Sequence, residues 1–264
     1  MEMKPIYLKI LILASILSLA CTTKVSEWVL LNSLPNRYML VYYQNGTIPE
    51  VAVQNNKELE NRLKTANVTF KQVLKRDIEL PYYALYYNNQ LFSEYRDYNE
   101  LSGIESSPLR EFAANELMVG KLCVMLYLKT GNSEKDEPGL LALKNSIASS
   151  PFGNVISVVE LDKRNAEEKQ LVSMLLNVES DLKTISEPML FGVFGRFRTL
   201  EPLIAKGITE ENIGLMIDFF TADCSCVIKD DLPGISLLYK SNWENPKPAQ
   251  VNAIIDANPL LEHH

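Results

Sequence analysis

Histidine is missing from the chain until its last two residues, His263 and His264. The closing Leu261-Glu262-His263-His264 resembles the scar of a histidine-tag vector, so neither imidazole enters a functional argument. The absence removes histidine as general base, as partner of a nucleophile and as zinc ligand. Also missing are a Gly-x-x-x-x-Gly-Lys phosphate loop, a Gly-x-Ser-x-Gly elbow and a His-Glu-x-x-His helix. No lysine/arginine-rich run exists and the formal charge is −7, which disfavours non-specific nucleic-acid binding. Cysteine is sparse (Cys21, Cys123, Cys224 and Cys226), and no two form Cys-x-x-Cys.

What is present is ordinary globular composition. The 264 residues are 47% hydrophobic and 22% charged, enough for two domains of about 100 residues each. Only the N-terminus departs from this. Lys4 and Lys9 precede the apolar run Ile10–Ala20, and Cys21-Thr22-Thr23-Lys24 follows. A basic start, a short apolar stretch and a small residue before the cut make an export signal. The run falls short of the roughly 20 residues of a comfortable bilayer span.

Cys21 directly after Leu19-Ala20 resembles the lipobox of bacterial lipoproteins, with one departure: Ser18 stands where a larger aliphatic residue is usual. The resemblance implies export and acyl chains on Cys21, so that the membrane partner is reached through a lipid anchor on the periplasmic or outer surface face. An ordinary cleaved signal and an uncleaved anchor are the alternatives.

Along the rest of the chain, Trp28–Pro35 reads as a short amphipathic lead-in. Tyr38–Tyr43 reads as a strand, Asn56–Ala66 as a helix and Val68–Leu74 as a strand. Leu80–Tyr87 and Gln90–Tyr95, joined by Asn88-Asn89, read as a β-hairpin, because Asn tolerates the positive φ such turns need. Pro108–Val119 is a helix with Ser106 or Ser107 as cap. A second unit opens at Leu122–Leu128, a continuous apolar run suited to a strand buried on both faces. Helix Pro138–Ala148 follows, with Leu140, Leu141, Leu143 and Ile147 inward. Then come strand Val155–Leu161, helix Asn165–Asn177, a hairpin turning near Gly195-Arg196, and helix Thr209–Phe220 capped by Thr209.

The second unit thus runs β-α-β-α-β-β-α, and the first β-α-β-β-β-α, one helix short. This order resembles the thioredoxin fold and implies two thioredoxin-like α/β sandwich domains in tandem. The units are 38–120 and 121–226, after a signal (1–20) and an anchor and lead-in (21–37), and before a C-terminal extension (227–264). The resemblance implies a cis-proline just ahead of the third strand of each sheet, at Pro81 and Pro188. The family's Cys-x-x-Cys position reads Gln44–Glu50 in one unit and Thr130–Glu137 in the other, both without sulfur. The family's thiol–disulfide chemistry therefore does not carry over. Val193–Arg198, Lys206–Ile213 and Cys224-Ser-Cys226 further resemble segments of uncharacterised bacterial proteins.

The thioredoxin topology puts Cys123, Cys224 and Cys226 at the pole opposite the usual active site, together with Arg196 and Arg198. They read either as a disulfide or thiol site beside cationic side chains or as structural residues, and the arginines either as an anion contact or as a solvated tip. The tyrosines of the first unit read as sheet packing rather than as a binding surface. Together these features imply a non-catalytic, lipid-anchored envelope protein acting as a binding or assembly module for a protein partner, with no cofactor and no metal. An atypical thiol redox protein using Cys224 and Cys226, or a metal-handling lipoprotein, is the alternative.

Overall fold

The computed structural model describes residues 23–258; Cys21 and the terminal histidines lie outside them. The order is α1 (Val25–Asn32), β1 (Tyr38–Gln44), α2 (Glu50–Leu63), β2 (Val68–Leu74), β3 (Tyr82–Tyr87), β4 (Gln90–Tyr95) and α3 (Pro108–Met118). Then follow β5 (Cys123–Lys129), α4 (Ser133–Ser149), β6 (Ile156–Asp162), α5 (Lys169–Leu175), β7 (Met189–Phe194), β8 (Arg198–Thr199) and β9 (Leu203–Ile204). The chain closes with α6 (Glu210–Thr221), α7 (Cys226–Asp230), β10 (Ile235–Ser236) and α8 (Val251–Asp256).

One sheet has the order β2-β1-β3-β4 and the other β10-β8-β7-β5-β6, with β9 also on β7. In each, the first strand pairs parallel with the second and antiparallel with the third. The same thioredoxin-like arrangement therefore occurs twice in tandem. β5 is buried along six of its seven residues, as its unbroken apolar run requires. The hairpin turns through Asn88 and Asn89 at φ 48° and 61°, the paired positive φ of a type I′ turn.

Several helices differ from the pattern read along the chain: the one read over Asn165–Asn177 is confined to α5 (Lys169–Leu175), and α7 and α8 carry no such pattern. α2 begins six residues before Asn56, led by Pro49. α4 begins at Ser133 and carries Pro138 inside it, because Asn132 caps Glu134 N–H and starts the helix early. Its Leu143 is buried, but Leu141 points to solvent. The lead-in is a helix of its own, α1, which packs Val25 and Val29 into the core of the second domain.

The two faces of the second sheet are covered differently. Cys123, Met125 and Tyr127 face α4 and α6, through Leu143, Ile213, Ile217 and Phe220. Gly192 lies under α6, where a Cβ would come within 2.7 Å of the Phe220 ring. Val124, Leu126 and Leu128 face the other way, into one cluster with α5, with α3 of the first domain and with Tyr38, Leu40 and Tyr42 of β1. α3 thus lies between the two sheets.

The junction is sealed by polar groups. Arg110 of α3 is fully buried and donates to Ile104 O and Leu238 O at 2.8 and 2.9 Å, and to Gly103 O. Its Nε donates to Ser107 Oγ, which donates to the buried Glu168 of the second domain. Glu168 also accepts Leu109 N–H at 2.7 Å, capping α3 from outside its own domain. The C-terminal extension is built into the same junction. β10 pairs with β8, Leu237 and Leu238 are buried, and Tyr239 N–H donates to Asn67 of the first domain.

All described peptide bonds are trans, which corrects the cis assignment of Pro81 and Pro188. Trans is the default by about 0.5–1 kcal/mol, and the trans Pro188 carbonyl accepts Ala205 N–H at 3.0 Å.

Candidate functional site

The pole at which a thioredoxin presents its thiols is closed in the second domain by a carboxylate. Asp136, in the first turn of α4, is turned back so that Oδ1 accepts Thr130 N–H and Oγ1–H, both at 2.9 Å, while Oδ2 accepts Gly131 N–H. The Tyr127 hydroxyl donates to Asp136 O at 2.7 Å, fixing that turn from beneath. Gly131 sits at φ +83°, and a Cβ there would meet the Arg164 guanidinium at 2.1 Å. Arg164 in turn pairs with Asp162. In the first domain, Asn45 Nδ2 donates to Ile78 O and Glu79 O and ties the same pole shut. Among the described residues neither pole carries a cysteine or a histidine.

Cys123, Cys224 and Cys226 are all outside any disulfide. Cys123 and Cys224 are buried in one apolar cluster with α1 and α6, whereas Cys226 stands exposed at the start of α7. Burial pushes the Cys123 thiol well above its ordinary value, away from thiolate chemistry. Cys224 is tied through its backbone, donating to Thr23 O. Among the described residues no group of three metal-ligating side chains comes together.

Arg196 and Arg198 are not a solvated tip. Arg196 donates to Leu30 O and Leu31 O at the end of α1. Arg198, 8% exposed, donates to Leu232 O, Pro233 O and Asn36 Oδ1 at 2.6–2.8 Å. Burial lowers its pKa. Both guanidiniums hold terminal segments onto the second domain, so an anion would have to compete with these carbonyls.

Among the described residues, an apolar surface that serves neither pole lies on the first sheet. α2 lies on the face of Tyr42 and Tyr83, where the Tyr83 hydroxyl donates to Asn56 of that helix. The opposite face carries Met39, Val41 and Tyr43 of β1, Thr69, Lys71 and Val73 of β2, Tyr82, Ala84 and Tyr86 of β3, and Leu91 and Glu94 of β4, by strand register. None of its apolar members belongs to either hydrophobic cluster. Val73 is 38% and Leu91 54% exposed. Val41 and Ala84 are 2% and 0% exposed, yet they sit among side chains of their own sheet. Tyr43 and Tyr82 pack at a ring-centroid distance of 5.1 Å, Lys75 lies over both rings, and the Tyr43 and Tyr86 hydroxyls bond at 3.0 Å.

The tyrosines therefore do two jobs. Tyr38, Tyr42, Tyr83 and Tyr87 pack the covered face, as sheet packing implied, while Tyr43, Tyr82 and Tyr86 line the open one. What sequence reasoning missed is that Met39, Val73, Lys71 and Leu91 join them. The available signal was the missing helix of the first unit.

Among the solved structures similar to the chain are two pairs of thioredoxin domains, both at low identity and low overall superposition. One is the first two thioredoxin domains of Eps1p from Naumovozyma dairenensis, at 16% identity and TM-score 0.28, covering 79% of this chain and 98% of that one. The other is the same pair of domains from Saccharomyces cerevisiae Eps1p, at 12% and 0.23, covering 65% and 86%. No protein-family model and no curated protein matches. The thioredoxin-like assignment rests on strand order and direction.

Proposed function

We propose that this protein is a non-catalytic binding module, exported and held at a bacterial membrane by a lipid on Cys21. The observation that carries the binding reading is the open aromatic face of the first sheet, on a scaffold whose two thioredoxin poles hold no cysteine. An apolar surface kept outside both cores is the usual mark of an interaction site. The basic start, the apolar run and Leu19-Ala20-Cys21 support export and anchoring. No helix among the described residues is long and apolar enough to cross a membrane.

Two measurements test this. Cells fed an alkyne fatty acid should label the protein, and Cys21→Ser should abolish the label and release the chain from membranes. In an insulin-reduction assay the protein should be no faster than its Cys224→Ser/Cys226→Ser variant. A mutant-sensitive rate would replace the binding module with a thiol enzyme.

A further inference from the structure

The two domains can be superposed by register. Tyr38, Leu40 and Tyr42 correspond to Cys123, Met125 and Tyr127, on the faces that carry α2 and α4 respectively. Met39, Val41 and Tyr43 then correspond to Val124, Leu126 and Leu128. On the third strands, Tyr86, Ala84 and Tyr82 correspond to Val193, Phe191 and Met189. In the second domain this face is covered by α5, whose Leu171, Met174 and Leu175 are buried in the same cluster as those strands. In the first domain the connection from β2 to β3 is only residues 75–81. It has to cross one strand, a gap of about 10 Å, which seven residues span without a helix. The equivalent position on the first sheet is therefore bare.

We infer that this face binds an amphipathic helix donated by a partner protein, in the place α5 takes in the second domain, with acidic residues on the flank that lies along β2. The inference rests on the binding-module reading and specifies its partner. Length fits: strands of six or seven residues run about 20 Å, which three to four helical turns match. Charge fixes the orientation. Lys71 stands on the face at β2, while the Lys75 ammonium lies over the Tyr43 and Tyr82 rings and donates to the Tyr82 hydroxyl at 3.3 Å. Lys71 makes no ion pair among the described residues, whereas Glu94 and Glu100, with Arg96 beside them, lie toward β4. A helix with an apolar stripe and carboxylates along one border is complementary to this layout.

The test places the photo-crosslinker p-benzoylphenylalanine in the full chain in its native cells, at position 73, 91 or, as a control on α4, 141. The expected result is adducts from 73 and 91 but not from 141. The cross-linked peptide should have apolar residues at three- and four-residue spacing and Asp or Glu beside them. Lys71→Glu/Lys75→Glu should cut the yield at least tenfold while leaving the melting curve in place. Adducts to this same chain, to lipid, to glycan or to a partner segment without that pattern overturn the inference, as does a yield indifferent to the charge reversal. Adducts from 141 alone overturn it but leave the binding module standing on another surface. Silence from all three positions removes both.

Discussion

Residues of the same type meet different fates here, and burial decides which. Cys226 is exposed, while Cys123 and Cys224 are sealed among Val25, Val29 and Phe220. In the native protein an aromatic disulfide reagent should therefore react with Cys226 within minutes, and with Cys123 and Cys224 only on the timescale of unfolding. Fast reaction of a second of these three thiols would restore the redox reading. Arg110 was not conspicuous in the sequence, as one charged residue in a helix of mixed polarity, yet it is the hub of the domain junction. Burial lowers its pKa to about 10, with Glu168 and Glu105 opposing that effect, so it is still charged at neutral pH. Arg110→Met would strip the carbonyls of Gly103, Ile104 and Leu238 of their donor and leave Glu168 buried without a nearby cation. The expected loss is about 3–5 kcal/mol, read as a drop in the urea midpoint.

Elements were legible wherever their signal was local. The apolar run Leu122–Leu128, the Asn88-Asn89 turn and the Thr209 cap each formed as their residues imply, since each depends on neighbours a few positions away. The start of α4 was not, because Pro138 reads as a first-turn residue. Asp136 instead folds back on Thr130 and Gly131 and lets the helix begin five residues earlier. Asp136→Ala removes the acceptor of three hydrogen bonds in a half-buried loop. It should cost about 1–3 kcal/mol and increase amide exchange at Thr130 and Gly131 without altering membrane attachment. Unchanged exchange would mean that the loop is held by Arg164 and Tyr127 alone.

For the whole molecule, one hydrophobic cluster runs from the first sheet through α3 to the second, so the two domains should unfold in a single transition. Tyrosines populate that cluster and its borders. Burial raises the pKa of Tyr38 and Tyr83, and burial with nearby carboxylates takes Tyr127 up to about 12. A raised folded pKa means the stability contribution is intact below the unfolded value of about 10. It is lost as pH rises through about 12 and beyond. Tyrosinate absorbance should therefore climb mostly above pH 10, in a cooperative step together with loss of helical signal. A single smooth titration centred near pH 10 would contradict the packing. The open face was half legible at this scale. Its tyrosines were noticed and so was the missing helix, but neither says which side of a sheet stays bare.

From residue order alone follow the two α/β repeats, the hairpin, the doubly buried strand and the absence of sulfur or imidazole at either thioredoxin pole. Periodicity, turn chemistry and residue type are written along the chain and need no distant partner. Tertiary structure alone decided that Arg196 and Arg198 bind carbonyls, that α1 and residues 235–239 complete the two domains, and that one face of the first sheet is left open. Each of these depends on segments up to about two hundred residues apart meeting in space, and a burial that needs such a partner leaves no pattern in the local sequence.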